Sequence, residues 1–274
     1  MKKDKIALQL YSVREQMQED FYGTLKKVKE MGYSGVEFAG LYGHDPLEVK
    51  QMCEEIGLVP LSAHVPFVDL MNNLEETVQC YKTIGCKYVV VPYLTEEYRP
   101  GNEGFNTVIE GMKKIGAELK KNGMVQQYHN HDFEFVKIDG KYALDILYEE
   151  IGPDLLQTQL DTCWVNVGGE NPAEYAKKYA GRMPTIHLKD FTGSKSGNMY
   201  ALIGIDEDKK KEVEGSFELR PVGKGVQDFP GIVAAATEGG AEWFIVEQDS
   251  PSMGLTPLEC AETSINYLLN EIAE

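Results

Sequence analysis

Residues 124–135 read MVQQYHNHDFEF. The stretch opens as a short apolar run behind a Lys-rich segment closed by Asn122-Gly123. It ends in two histidines two positions apart, followed by two carboxylates. Side chains alternate faces along a strand, so His129 and His131 are expected to point the same way, at a strand end where both can reach one small site. Such a strand needs partners. Three later runs also finish in ligand-type residues: 156–161 (LQTQLD), 184–190 (PTIHLKD) and 243–249 (WFIVEQD).

Outward from that stretch the chain keeps one rhythm. Residues 5–11 (KIALQLY) read as a buried strand, and 21–31 carries Phe21, Leu25, Val28 and Met31 at helical spacing before Gly32 stops it. GVEF at 35–38 is a second strand. Asp45-Pro46 supplies an N-cap and a proline at the first helical position for a helix running to Gly57. Strands three and four are 58–64 (LVPLSAH) and 87–92 (KYVVVP), followed by helices at 74–84 and 104–121. The second half continues with helices at 143–151, 172–179, 228–238 and 256–269 after its four strands.

Near-continuous apolar strands alternating with helices belong to a parallel sheet covered by helices. An open doubly wound sheet usually carries a Gly-rich phosphate loop after its first strand, but Ser12-Val13-Arg14-Glu15 stands there. The expected fold class is therefore α/β, a (β/α)8 TIM barrel, with residues 1–274 forming one domain. A barrel of this size buries enough core to need neither disulfide nor metal for folding.

The formal charge of -17, from 27 basic and 44 acidic residues, opposes a phosphate backbone, so no nucleic-acid partner is expected. Five cysteines with no CxxC pair read as reduced thiols. The N-terminal apolar run is interrupted by Arg14 and Glu15 too early for a secretory segment, and no run approaches a membrane span of roughly 18 residues. A soluble, cytoplasmic protein without a membrane partner is expected.

In such barrels the C-terminal strand ends build the active site. Taken in order, those ends here offer Gln9 and Tyr11, Glu37, His64, Tyr93, His129 and His131, Asp161, His187 with Lys189, and Glu247 with Gln248. His129, Asp161, His187 and Glu247 come from four successive strands. Two imidazoles and two carboxylates suit one divalent ion, Mn²⁺, Fe²⁺, Co²⁺ or Zn²⁺ rather than Mg²⁺. His131 shares the strand phase of His129, so spacing leaves open which of them would be the ligand. His64 is either a packed mouth residue or a donor to a substrate hydroxyl. His44 lies in a Gly-flanked loop and reads as exposed. Lys189 should meet a carboxylate or a substrate oxygen, because an unpaired buried ammonium is costly. Glu37 is either a substrate contact or a satisfied core acid, and Trp164 a wall for a sugar ring or a packing residue. The run KKKEVE at 209–214 reads as a solvated face.

Several of these motifs together, YHNHDFEF, LDTCWVNVGG, IHLKDF and FIVEQD with LQLYSVR at the start, resemble the sugar phosphate isomerase/epimerase superfamily, which has a xylose-isomerase-like TIM barrel. The resemblance covers essentially the whole chain. Ketose epimerases of that superfamily hold one divalent ion through Glu, Asp, His and Glu, and the last three fall on Asp161, His187 and Glu247. The first falls on His129, because the family's Glu-Asn-His is His129-Asn130-His131 here. The epimerases use their two metal-bound glutamates as the acid/base pair, so one half of that pair is replaced by an imidazole.

The resemblance implies an isomerase or epimerase acting on a keto-sugar or polyol, by proton abstraction next to a carbonyl. Glu247 would be the base, and His129 a second proton carrier or a pure ligand. His64, His131, Lys189, Glu37, Trp164 and Gln9 would contact substrate. Elimination from a keto-inositol or a 3-keto-glycoside is equally compatible, and a sugar-binding barrel without chemistry, or a subunit of a complex, is a remoter alternative. The superfamily's three-zinc endonucleases place histidines where Trp164 and Tyr93 stand, and the segment 191–227 contains none. That segment is a candidate lid or a contact in a homo-oligomer. Its Gly223-Lys224-Gly225 reads as a turn, with phosphate binding as the alternative.

Overall fold

The computed structural model describes residues 1–195 and 216–274. Eight strands close into a parallel barrel: β1 (Ile6–Gln9), β2 (Gly35–Phe38), β3 (Val59–His64), β4 (Tyr88–Val91), β5 (Val125–His129), β6 (Gln157–Asp161), β7 (Thr185–Leu188) and β8 (Trp243–Val246). Each pairs with its sequence neighbours, and β1 closes the ring on β8 through Ile6 opposite Phe244 and Leu8 opposite Val246.

The helices start and stop where local chemistry places them. Pro46–Ile56 is capped by Asp45, which accepts from Leu47 N, and ends at Gly57 with φ 76°. Pro257–Tyr267 opens on a Thr256/Glu259 capping box. Three short helices, Arg14–Glu19, Phe67–Asn72 and Thr162–Val167, were not legible as elements and lie in the loops at the C-terminal ends of β1, β3 and β6. All five cysteines are free, and among the described residues no helix is long and apolar enough to cross a membrane.

Four strands stop two or more residues before the C-terminal ends of their runs. β1 stops at Gln9 because the Gln9 side chain accepts from Tyr11 N and starts a 3-10 turn. β5 stops at His129, β7 at Leu188 and β8 at Val246. The ladder ends at His129, and Asn130 turns aside to accept from Asp161 N (2.9 Å), so strand phase does not set His131, yet both rings reach one cavity with centroids 5.3 Å apart.

Most of the apolar core lies between strands and helices. Inside the barrel only the N-terminal end is apolar, a plug of Ala7, Leu61, Tyr88, Trp243 and Ile245. Gly35 makes room for it, since a Cβ there would lie 2.9 Å from Trp243 Cζ3. Above the plug the inward side chains are polar, and Gln127, Thr185, Gln159 and Glu37 are linked by hydrogen bonds across the barrel. The barrel is thus sealed at one end and chemically loaded at the other.

Candidate active site

Glu37 is the floor of the loaded end. It is fully buried and accepts five hydrogen bonds: from Gln9 (2.8 Å), Ser62 (2.7 Å), Gln159 (2.6 Å), His187 Nε2 (2.7 Å) and His64 Nε2 (2.9 Å). Burial opposes its charge, yet the His64 and His187 imidazoles prevail and hold its carboxyl well below the usual range. It is one of the two groups that fix the His187 ring. The other ring nitrogen, Nδ1, lies 3.1 Å from Glu247 Oε2. Burial disfavours a charged His187, but Glu37 and Glu247 on either side outweigh it and push the imidazole up to about 10.

Above this floor, His129, Asp161, His187 and Glu247 each bring one ligand atom to within 4.8 Å of all the others, and all four are buried. Asp161 Oδ1 caps the helix Thr162–Val167 by accepting from Trp164 N (2.9 Å). Its Oδ2 is buried with no hydrogen-bond partner, 3.7 Å from His129 Nε2. Burial pushes the Asp161 carboxyl up to about 6, against the opposing pull of Lys189 and His187. His129 Nε2 lies 3.9 Å from Glu247, and burial together with the nearby His187 keeps its imidazole well below the ordinary value, hence neutral. Neutral imidazoles and carboxylates are the forms that ligate a metal, so His129 is already in its ligating form and an ion would displace the proton that His187 shares with its two carboxylates. An unsatisfied Asp161 oxygen facing a neutral histidine in a converging N₂O₂ set fits a divalent ion. His187 backed by Glu37 has the carboxylate–histidine arrangement that orients a metal-binding ring. His129 lacks a similar brace, because its buried Nδ1 has no hydrogen-bond partner.

Lys189 enters the same space from beyond β7. Its Nζ is 2.6 Å from Asp249, 2.8 Å from Glu247 and 3.6 Å from Asp161. Burial alone would lower its pKa, but the three carboxylates raise it well above the ordinary value, so it is an ammonium. Burial likewise opposes ionisation of Glu247, and Lys189 and His187 overcome it and hold that carboxyl well below its usual range.

A cavity of about 570 Å³ opens onto these groups. His64, His129, His131, Lys189 and Glu247 line it. Asp161 and His187 are wholly buried behind that wall. Gln9, Glu37 and Trp164, expected to contact substrate, lie off the wall. Gln9 is tied to Glu37, and Glu37 is enclosed by its five donors. Trp164 is packed between His131 (ring centroids 5.2 Å apart) and Phe217 (6.1 Å). Of the two histidines that spacing left open, His129 joins the ligand cluster. His131 is stacked instead between Phe133 and Trp164.

The sequence reading missed Asp249 and Gln159. Asp249 shares the alternation of Glu247 and Gln159 that of Asp161, each two positions away, and that phase was the available signal. The turn at Gly223-Lys224-Gly225 cradles an anion from its own chain: Gly223, Gly225 and Gln227 backbone N–H groups all donate to Asp190. A Cβ at Gly225 would come within 2.2 Å of Asp190 Oδ1, so this cradle is full and is not a phosphate site. The KKKEVE run and the middle of the candidate lid lie outside the described residues.

The family model for the xylose isomerase-like TIM barrel matches residues 25–271. The chain belongs to that family. Among curated members, it is similar to an inosose dehydratase of Clostridium perfringens, 25% identical over 265 residues, covering 86% of this chain and 85% of the relative. Among solved xylose isomerase-like barrels, a sugar phosphate isomerase/epimerase from Parabacteroides distasonis superimposes with a TM-score of 0.77 at 24% identity, covering 98% of this chain and 94% of the other. The IolI protein with a bound zinc atom superimposes with a TM-score of 0.71 at 17% identity, covering 97% of each chain.

Proposed function

We propose that this protein is a divalent-metal-dependent lyase that removes water or another β-leaving group from a polyhydroxylated cyclic ketone. The observation that carries the proposal is the convergence of the His129, Asp161, His187 and Glu247 ligand atoms at the inner end of a cavity of about 570 Å³, which His129 and Glu247 line. The inosose dehydratase relative supports the lyase outcome over epimerisation. So does the residue set: an epimerase of the two-glutamate kind needs a carboxylate on each side of the substrate carbon, and His129 stands in one of those places.

His129, Asp161, His187 and Glu247 would hold the ion, which when bound supplies Lewis-acid polarisation of a carbonyl and lowers the pKa of the adjacent C–H. Glu247, held ionised by Lys189 and His187, accepts the proton from that carbon. The released electron pair forms the new C=C bond as the β C–O bond breaks, and the departing oxygen leaves as water on taking up the proton that Glu247 accepted. Lys189, His64 and His131 line the cavity and donate to substrate oxygens. Glu37 acts beneath them by fixing the His187 and His64 rings.

The test is product analysis by NMR in D₂O with 2-keto-myo-inositol and with a free ketose, on protein loaded with Mn²⁺ or stripped by chelator. An unsaturated product that requires the metal is expected. A saturated, epimerised product deuterated at the reacting carbon would reinstate the isomerase reading, with His129 as the second proton carrier. Turnover unchanged by chelation would refute the metal-dependent mechanism.

A further inference from the structure

The cavity is chemically divided. Its barrel end presents His64, His129, His131, Lys189, Glu247 and Asp249. Away from that cluster it runs over the C-terminal ends of β3 and β4, where Val65, Pro66, Phe67, Pro92, Leu94 and Tyr98 line it. Phe67 and Tyr98 meet edge to face there, with ring centroids 5.4 Å apart, and Val65, Phe67 and Leu94 are largely buried. Asp69, Tyr81, Tyr93 and Thr95 also line the cavity, but its lining is predominantly apolar, so a bare polyol extending into this lobe would replace only part of the hydrogen bonds it loses to water.

Size points the same way. A cyclic polyol of twelve heavy atoms fills about 200 Å³ at the packing density of organic solids. The cavity of about 570 Å³ is more than twice that. With the ring held at the ligand cluster, the remaining space includes the apolar lobe.

Resting on the lyase reading above, we infer that the substrate's polyol ring carries an apolar substituent, an aryl or alkyl group, and that the lobe between the ends of β3 and β4 receives it. Selectivity between substrates that share one ring is then set by Val65, Phe67 and Leu94 rather than by the polar cluster. Burial of a phenyl group against these residues favours association in proportion to the apolar area removed from water.

The test measures binding of three unreactive probes to the full-length protein, with and without Mn²⁺: methyl β-D-glucopyranoside, phenyl β-D-glucopyranoside and phenol. The expected result is about ten-fold or tighter binding of the phenyl over the methyl glycoside, with phenol binding whether or not Mn²⁺ is present. Phe67→Asp should bring the phenyl glycoside down to the affinity of the methyl one. Equal affinities in the unaltered protein, or no binding of phenol and the phenyl glycoside, overturn the inference. A phenyl preference that persists without any Mn²⁺ dependence of either glycoside supports the lobe and counts against the metal-dependent reading instead.

Discussion

Replacing Glu37 by glutamine tests how the site is built, because it keeps the shape and removes only the charge and one acceptor. Oε1 accepts from Gln9, His187 and His64, and Oε2 from Ser62 and Gln159. Whichever way the amide is turned, its NH₂ faces donors. Turned toward Oε2 it does least harm, since the Ser62 hydroxyl can rotate to accept, but one Gln159 N–H then stays buried without a partner. That orphan costs about 1–3 kcal/mol, and weakening two charge-assisted bonds to imidazoles adds about as much again, for a loss of roughly 2–6 kcal/mol. The second consequence is local. His187 loses the carboxylate that fixes its ring, and loss of such a brace lowers metal affinity by roughly 10–100-fold. Urea unfolding reads the first effect and titration calorimetry with Mn²⁺ or Zn²⁺ the second. A Glu37→Gln protein with unchanged stability and unchanged metal affinity would refute both the floor and the cluster built on it.

Glu247→Gln should abolish turnover while sparing the fold, as judged by circular dichroism; retention of most activity would move the base elsewhere. Gln126 is buried facing the helices, and neither its side-chain oxygen nor its nitrogen has a hydrogen-bond partner. Gln126→Met should raise unfolding free energy by about 1–2 kcal/mol, because it removes an unsatisfied amide at constant volume; a destabilised variant would show that the amide is in fact satisfied. Burial pushes the Glu134 carboxyl from the ordinary 4.5 up to about 8, against the opposing bonds from the Tyr128 hydroxyl and the His131 N–H. Between those values the native state holds a proton that the unfolded chain has lost, so this group's stabilisation is present at acid pH and lost as pH rises toward about 8. Urea melts across that window should fall more steeply for the natural protein than for Glu134→Gln, and parallel curves would refute the assignment.

Much of the barrel was legible because its signals are local. Apolar runs of strand length, helical spacing in Phe21, Leu25 and Val28, and punctuation at Gly57 and Gly85 each act over a few residues, and a closed ring of parallel strands is the consistent way to bury them. The ligand-type side chains at the ends of β5 to β8 could be named for the same reason, since a strand end is a position in sequence. What the sequence could not decide was where each side chain goes once its strand has ended. His129 and His131 have equal phase on paper, yet the ladder stops between them, and one joins the cluster while the other is stacked on Trp164 and Phe133. Glu37 reads as a possible substrate contact, but five donors from β1, β3, β6 and β7 enclose it. Gly223-Lys224-Gly225 reads as a turn with phosphate binding as the alternative, and Asp190 takes up its two glycine N–H groups. In each case the deciding partner is far away along the chain, and only closure of the barrel, which sets eight distant segments around one axis, determines which hydrogen bonds are made.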